Sequence, residues 1–373
     1  MSESFFAVCA PGLEAVLQAE LAALDLPGVP EPGGVAFEAG ISTVYRANLR
    51  LRTASRLLLR AGEFYAAAFS ELRKKASRLP WERFLRPDRP VALRVTCHKS
   101  RLYHSAGVAQ RLAGALEDGL KRPVSVVKFD EEAAPAPQLI VARLDHDQCT
   151  LSLDTSGEIL HRRGYRLETA KAPLRETLAA ALLAAAGYAG SAALIDPFCG
   201  SGTIPIEAAL LAARSAPGKK RRFAFMEWPS YDPSLWRALV AEAEEGERPP
   251  SCPILASDRD DGAVRIAQDN AARAGTAQWI TFERRAVSAV EPVSPAGWLV
   301  TNPPYGVRVS EGKDLRNLYA QFGNLLRARF GGWKAGFLCN DRALAGQVGL
   351  PLEPALRFAN GGIPVTFFTT TLP

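Results

Sequence analysis

The chain carries little that points to metal, redox or membrane chemistry. Cysteine occurs only six times in 373 residues, at positions 9, 97, 149, 199, 252 and 339, and no two form a CxxC pair. Scattered thiols fit a reducing cytoplasm and argue against a disulfide framework or a thiolate zinc site. Histidine is scarcer: four residues, 98, 104, 146 and 161, with no HExxH spacing. No metal centre is therefore expected. No apolar run reaches the roughly 18 residues of a membrane helix. The alanine-rich stretch 178–186 is short and follows Arg175 and Glu176. The first residues, MSESFFAVCAPGLE, lack a basic segment and carry acids early, so no secretory signal is expected. There is no internal repeat, and 373 residues imply two or three domains.

Charge is present but uneven. The whole chain is +6, whereas residues 46–111 hold sixteen Lys and Arg against four Asp and Glu, an excess of 12. The remainder is net acidic, so one segment supplies the basic character. Such asymmetry fits a polyanion partner, nucleic acid above all. Arg73, Lys74, Lys75 and Arg78 form one cluster and Lys99 and Arg101 another, with Arg162 and Arg163 further on. These are the candidate RNA-contacting residues.

Periodicity divides the chain. FFAVCA reads as a strand, 12–24 as an amphipathic helix, and ISTVYRANLRLRTASRLLLR (41–60) as one helix. Residues 61–158 read as a compact α+β unit ending in period-2 strands, with EEAAPAP at 131–137 as a solvent loop. From about 174, helix and strand alternate in the manner of a parallel, doubly wound sheet. The expected organisation is a 1–60 domain, a 61–158 domain, a 159–172 linker and a 173–373 α/β domain.

The last of these holds the chemistry. AALIDPFCGSGTIPIEAALLAA is an apolar strand, a glycine turn and a helix, with Asp196 closing the strand and Gly200 and Gly202 in the loop. Glycines let backbone approach a ligand, and the helix N-terminus offers free N–H groups. A phosphate loop would need a Lys that is missing, and the third glycine of a dinucleotide fingerprint is replaced by Pro205. An amino-acid nucleoside without phosphate fits better. Asp196 is suited to its ammonium, and Asp258, closing the next strand in CPILASDRDD, to its ribose diol. A ribose acid usually follows the glycines by roughly 20 residues. Here an inserted segment, RSAPGKKRRFAFMEWPSYDPSLWRALVAEAEEGE, lengthens the interval about threefold. A third strand ends in LVTNPPYG. Two prolines stop it and lock Asn302, Pro303, Pro304 and Tyr305 into a rigid knuckle. The Asn302 side-chain oxygen and the Pro303 carbonyl are placed to grip an NH₂ group, and Tyr305 offers a ring for a flipped base. Guanine N2, adenine N6, cytosine N4 and glutamine all meet that demand.

DPFCGSGT followed by NPPYG resembles the class I S-adenosylmethionine-dependent methyltransferases that act on exocyclic or amide nitrogens. SLDTSGEILHRRGYR at 152–166, after a basic α+β unit, narrows the resemblance to the THUMP-containing RNA guanine-N2 methyltransferases. That resemblance implies a ferredoxin-like domain, a THUMP domain and a Rossmann-like catalytic domain, with S-adenosylmethionine as cofactor. It assigns the cofactor to Asp196, Pro197, Phe198, Cys199, Gly200, Ser201, Gly202, Thr203, Asp258, Arg259, Ala286 and Asn302. It departs from this chain at one point: Ala286-Val287 stand where an acid often meets the adenine amine. The substrate it implies is guanosine in 23S ribosomal RNA. The alternatives are tRNA, an adenine-N6 methyltransferase or a non-catalytic RNA-binding protein, and the oligomer expected is a monomer or weak dimer.

Overall fold

The computed structural model describes residues 2–130, 136–166, 174–306 and 315–373. The front half runs β1 (Ser2–Val8), α1 (Glu14–Ala22), β2 (Gly28–Glu31), β3 (Gly34–Gly40), α2 (Thr43–Arg50) and β4 (Arg56–Tyr65). It continues α3 (Phe69–Ala76), β5 (Val91–His98), α4 (Ser105–Leu120), β6 (Val126–Val127), β7 (Gln138–Asp145) and β8 (Gln148–Asp154). These strands form a single eight-stranded sheet in the order β2-β3-β1-β4-β8-β7-β5-β6.

The expected boundary at 60/61 falls inside β4, which the two front units share. The strand is ten residues long and works twice: its first half pairs with β1, while Leu58–Tyr65 pair with β8. A register shift between Arg60 and Gly62 separates the two roles. The segment 41–60 is likewise not one helix. α2 stops at Arg50, and the backbone N–H groups of Arg52 and Thr53 turn to the Glu20 carboxylate, at 2.5 and 3.0 Å. Two satisfied donors outside the helix compete with its continuation. Of the solvent loop expected at 131–137, residues 131–135 lie outside the described residues.

The second half comprises α5 (Glu176–Ala185), β9 (Ala193–Asp196), α6 (Thr203–Ala212), α7 (Pro233–Glu245), β10 (Ile254–Asp258), α8 (Asp261–Ala274) and β11 (Ile280–Arg284). There follow β12 (Gly297–Thr301), α9 (Arg316–Arg329), β13 (Lys334–Cys339), α10 (Arg342–Gly346), β14 (Glu353–Asn360) and β15 (Ile363–Thr371). The sheet order is β11-β10-β9-β12-β13-β15-β14. The strands from β9 to β13 are parallel to one another, and β15 is antiparallel to both its neighbours. The chain leaves β9 toward β10 and β11, then returns to the other side of β9 as β12. That reversal opens a crevice at the carboxyl ends of β9 and β12, where such sheets bind ligands. α5 and α6 are apolar nearly all round and lie buried.

The inserted segment after α6 fastens the two halves. The Tyr45 ring stacks on Phe225 at 4.6 Å, Phe225 N–H donates to the Thr155 carbonyl, and the Trp228 indole donates to Gln138. Arg221 donates to the carbonyls of Glu158, Ile159 and Arg162. The expected linker is therefore no free tether over 159–166, where Leu160 and Tyr165 are core residues; residues 167–172 lie outside the described residues. Among the described residues, no helix is long and apolar enough to cross a membrane.

Candidate active site at the carboxyl edge of the parallel sheet

Asp196 closes β9 at 1% exposure, and its Oδ1 accepts from the Phe198 N–H at 3.2 Å and the Thr301 hydroxyl at 2.6 Å. The second bond crosses from β12, so Thr301 ties the two strands that flank the crevice. Burial pushes the Asp196 carboxyl up to about 7; the Thr301 and Phe198 hydrogen bonds oppose that rise and the nearby Asp258 charge adds to it. Asp258, closing β10, accepts from Gly200 N–H at 3.1 Å and Asp260 N–H at 3.0 Å. One carboxylate thereby holds both the glycine loop and the start of α8.

The two loop glycines have different reasons. Both have positive φ, 51° at Gly200 and 82° at Gly202. A Cβ on Gly202 would come within 2.9 Å of the Ala267 Cβ, so this glycine lets α6 approach α8. A Cβ on Gly200 would meet nothing within 4 Å, so this glycine faces open space. A bare loop with open space beside it suits a ligand held by backbone.

Of the other loop residues, Pro197, Cys199, Ser201 and Thr203 are buried, and burial drives the Cys199 thiol far up, away from the reactive thiolate. Phe198 packs edge-on against Phe322 at 5.8 Å. Arg259 and Ala286 are exposed, Ala286 standing just past the end of β11. Asp196, the glycine loop, Asp258 and Asn302 thus lie on three neighbouring strand ends, with Ala286 one strand further out.

At the knuckle, Asn302 Oδ1 is buried and has no hydrogen-bond partner among the described residues. An unmatched acceptor costs about 1–3 kcal/mol, so it marks a place where something else donates. The Pro304 carbonyl is held by the Tyr319 hydroxyl at 3.3 Å. Tyr305 departs from expectation. Its ring is 7% exposed within the core and its hydroxyl accepts from Asn360 at 2.8 Å, which makes it a fastening for the knuckle instead of an open face for a base. Thr301, Tyr319 and Asn360 are not apparent as site residues from the sequence. Only Thr301 carries a signal there, as the polar end of an apolar strand beside the knuckle.

The basic candidates do not behave alike. Arg163 is buried, donating to the carbonyls of Leu160 and Arg52 with its Nε 3.7 Å from Glu207. It is a core residue and not an RNA contact, because its charge is already matched indoors. Arg73 makes a two-pronged pair with Asp118, and the Lys75 ammonium donates to the Tyr65 carbonyl. Lys74, Arg78 and Lys99 lie at the surface; Arg101 is exposed beside Asp147, and Arg162 is half-buried.

Residues 163–349 match the RMKL-like methyltransferase domain, residues 4–58 the RlmL ferredoxin-like domain and residues 66–154 the THUMP domain. The chain belongs to this methyltransferase family. Similar proteins include a ribosomal RNA large subunit methyltransferase K/L of Syntrophotalea carbinolica, 38% identical over 96% of this chain and 52% of that protein. A putative RNA methyltransferase of Synechocystis is 35% identical over 97% of this chain and 95% of its own. The chain spans about half the length of the K/L relatives it matches. A solved structure described as a putative methyltransferase complexed with SAH is 30% identical, with a TM-score of 0.89 over 100% of this chain and 98% of that one. Another, a predicted N6-adenine-specific DNA methylase from Listeria monocytogenes, is 32% identical, with a TM-score of 0.86 over 100% and 97%. In this family's frame, the Rossmann-like fold and its two front domains are those the sequence resemblance implied.

Proposed function

We propose that the chain methylates N2 of a guanosine in RNA with S-adenosylmethionine, large-subunit ribosomal RNA being the favoured substrate and tRNA the second. The observation that carries this is the buried, unmatched Asn302 Oδ1 at the strand end beside Asp196. The THUMP match and the names of the K/L relatives support the choice of RNA and of guanine. The open space at Gly200, between two acids on neighbouring strands, fits the cofactor. When bound, it supplies an electrophilic methyl on a positive sulfonium. Asp196 would hold its ammonium, Asp258 its ribose diol, and the loop backbone its methionine.

The chain's own contribution is orientation. A purine amine is a poor nucleophile because its lone pair is delocalised into the ring. Asn302 Oδ1 and the Pro303 carbonyl would accept the two amine hydrogens and turn the lone pair out of the ring. Two prolines, with Tyr319 and Asn360 behind them, keep those acceptors from moving. No strong base is needed, since the amine sheds its proton to solvent once it carries the methyl. The test is methyl transfer from labelled S-adenosylmethionine to total RNA from cells lacking the protein. Label is expected in large ribosomal RNA; label in tRNA alone would move the substrate, and none in RNA would end this reading.

The raised Asp196 carboxyl gives a pH dependence with a definite sign. Its folded-state value, about 7, lies above the ordinary one, so the acid form dominates below it. An ammonium needs the carboxylate. Cofactor affinity should therefore rise as pH climbs through about 7, and Asp196→Asn should weaken binding and flatten the profile. Calorimetry across that range checks it; an unchanged profile would remove Asp196 from the ammonium site.

The exposed cations give a second expectation. Replacing Lys74, Arg78, Lys99 and Arg101 by Gln should weaken RNA binding and lower the log–log salt slope by roughly 0.7–0.9 for each phosphate no longer neutralised. Cofactor affinity should stay put. An unaltered slope would return these residues to a merely solvated face.

A further inference from the structure

The geometry points to a site for a divalent metal of the zinc class, formed by His98, Asp145 and His146 on the front sheet. Sequence spacing concealed it, since the histidines are 48 positions apart and match no ligand motif. The fold brings them together. β5 and β7 run parallel in a register that sets His98 directly beside Asp145, and His146 is the next residue, in the tight turn to β8. Both turn residues are left-handed, His146 at φ 50° and Asp147 at φ 64°, as in the two-residue turns that join twisted strands.

The side chains converge. Asp145 Oδ1 lies 2.9 Å from His98 Nδ1 and 2.7 Å from His146 Nδ1, and the three candidate ligand atoms all lie within 4.8 Å of one another. The other carboxylate oxygen is held by Arg143 at 3.1 Å, which leaves Oδ1 turned toward the two imidazoles. Such an outer hydrogen bond is what orients a ligating carboxylate. The backbone beneath is stitched as well. His146 N–H donates to the His98 carbonyl, Asp147 N–H to the Ser100 hydroxyl at 3.0 Å, and Arg101 N–H to Asp147 at 2.7 Å.

Zinc bonds of about 2.0–2.1 Å in tetrahedral geometry set neighbouring ligand atoms roughly 3.3 Å apart. The two Asp–His separations need open by only about half an ångström, and the three ligand atoms, all within 4.8 Å of one another, are close enough for side-chain torsions to set the rest. Two imidazole nitrogens with one carboxylate oxygen select zinc, nickel, cobalt or copper over magnesium or calcium, which prefer oxygen throughout. The imidazoles are 63% and 66% exposed, so the fourth position faces water and the ion would exchange. A bound ion would clasp the end of β5 to the β7–β8 turn. None of this depends on methyl transfer.

The test uses the full chain, stripped with chelator and titrated with zinc chloride by calorimetry in excess magnesium. One saturable, micromolar site is expected, with a higher melting temperature when filled. His98→Ala and His146→Ala should each weaken binding by roughly tenfold or more and leave the metal-free melting temperature unchanged, since both residues are exposed. Cobalt should give a nitrogen–oxygen spectrum without thiolate charge transfer. Absence of saturable uptake would overturn the site. So would uptake that both substitutions leave intact, because the ligands would then lie elsewhere.

Discussion

Asn302→Ala is expected to lower methyl-transfer turnover by roughly 100-fold or more while S-adenosylmethionine affinity changes by less than about twofold. The asymmetry follows from where the residue acts. Its Oδ1 is buried and unmatched, so truncation breaks no hydrogen bond to that oxygen and should not lower the melting temperature. What it removes is an acceptor that gains most as the amine nitrogen pyramidalises. An interaction made mainly in the transition state shows in turnover, not in ligand affinity. Asn302→Asp keeps an acceptor at the same place and should retain more turnover than the alanine variant. Full turnover in Asn302→Ala would remove the residue from the chemistry.

Arg163→Ala is expected to destabilise the fold by about 3–5 kcal/mol, the usual consequence of stranding one partner of a buried ion pair. Arg163 and Glu207 side chains are 3% and 0% exposed, and Glu207 also accepts from the Tyr165 hydroxyl, at 3.0 Å. The substitution also leaves the Leu160 and Arg52 carbonyls without these donors. Chemical denaturation checks the figure. The same variant, where folded, should leave the salt slope of RNA binding unchanged. A stable protein with a flattened slope would put Arg163 back on the RNA face.

These two residues mark what the sequence could and could not disclose. Asp196, Asp258 and Asn302 were legible because each closes an apolar run, and the carboxyl ends of successive parallel strands must share an edge. Their convergence needed no knowledge of side-chain packing. Arg163 is misleading in sequence because charge counts cannot distinguish a solvated arginine from one matched by a distant Glu207. Tyr305 misleads for a related reason: whether an aromatic ring is a platform or a plug depends on Asn360, 55 residues away. A cut inside β4 looks natural because a strand shared by two units has no local mark of its double pairing. The segment 41–60 reads as one helix because Glu20, which takes the Arg52 and Thr53 donors, lies outside it. The His98–Asp145–His146 cluster is invisible for the same reason, being a product of strand register.

If this knuckle presents acceptors to the exocyclic amine of a guanine, the identity of the methylated nucleoside reveals it. RNA from cells lacking the protein, treated with the purified chain and S-adenosylmethionine, is digested and analysed by mass spectrometry. N2-methylguanosine is the expected product, absent when Asn302→Ala is used. N6-methyladenosine in its place, or N2-methylguanosine formed equally well by Asn302→Ala, would contradict that role of the knuckle.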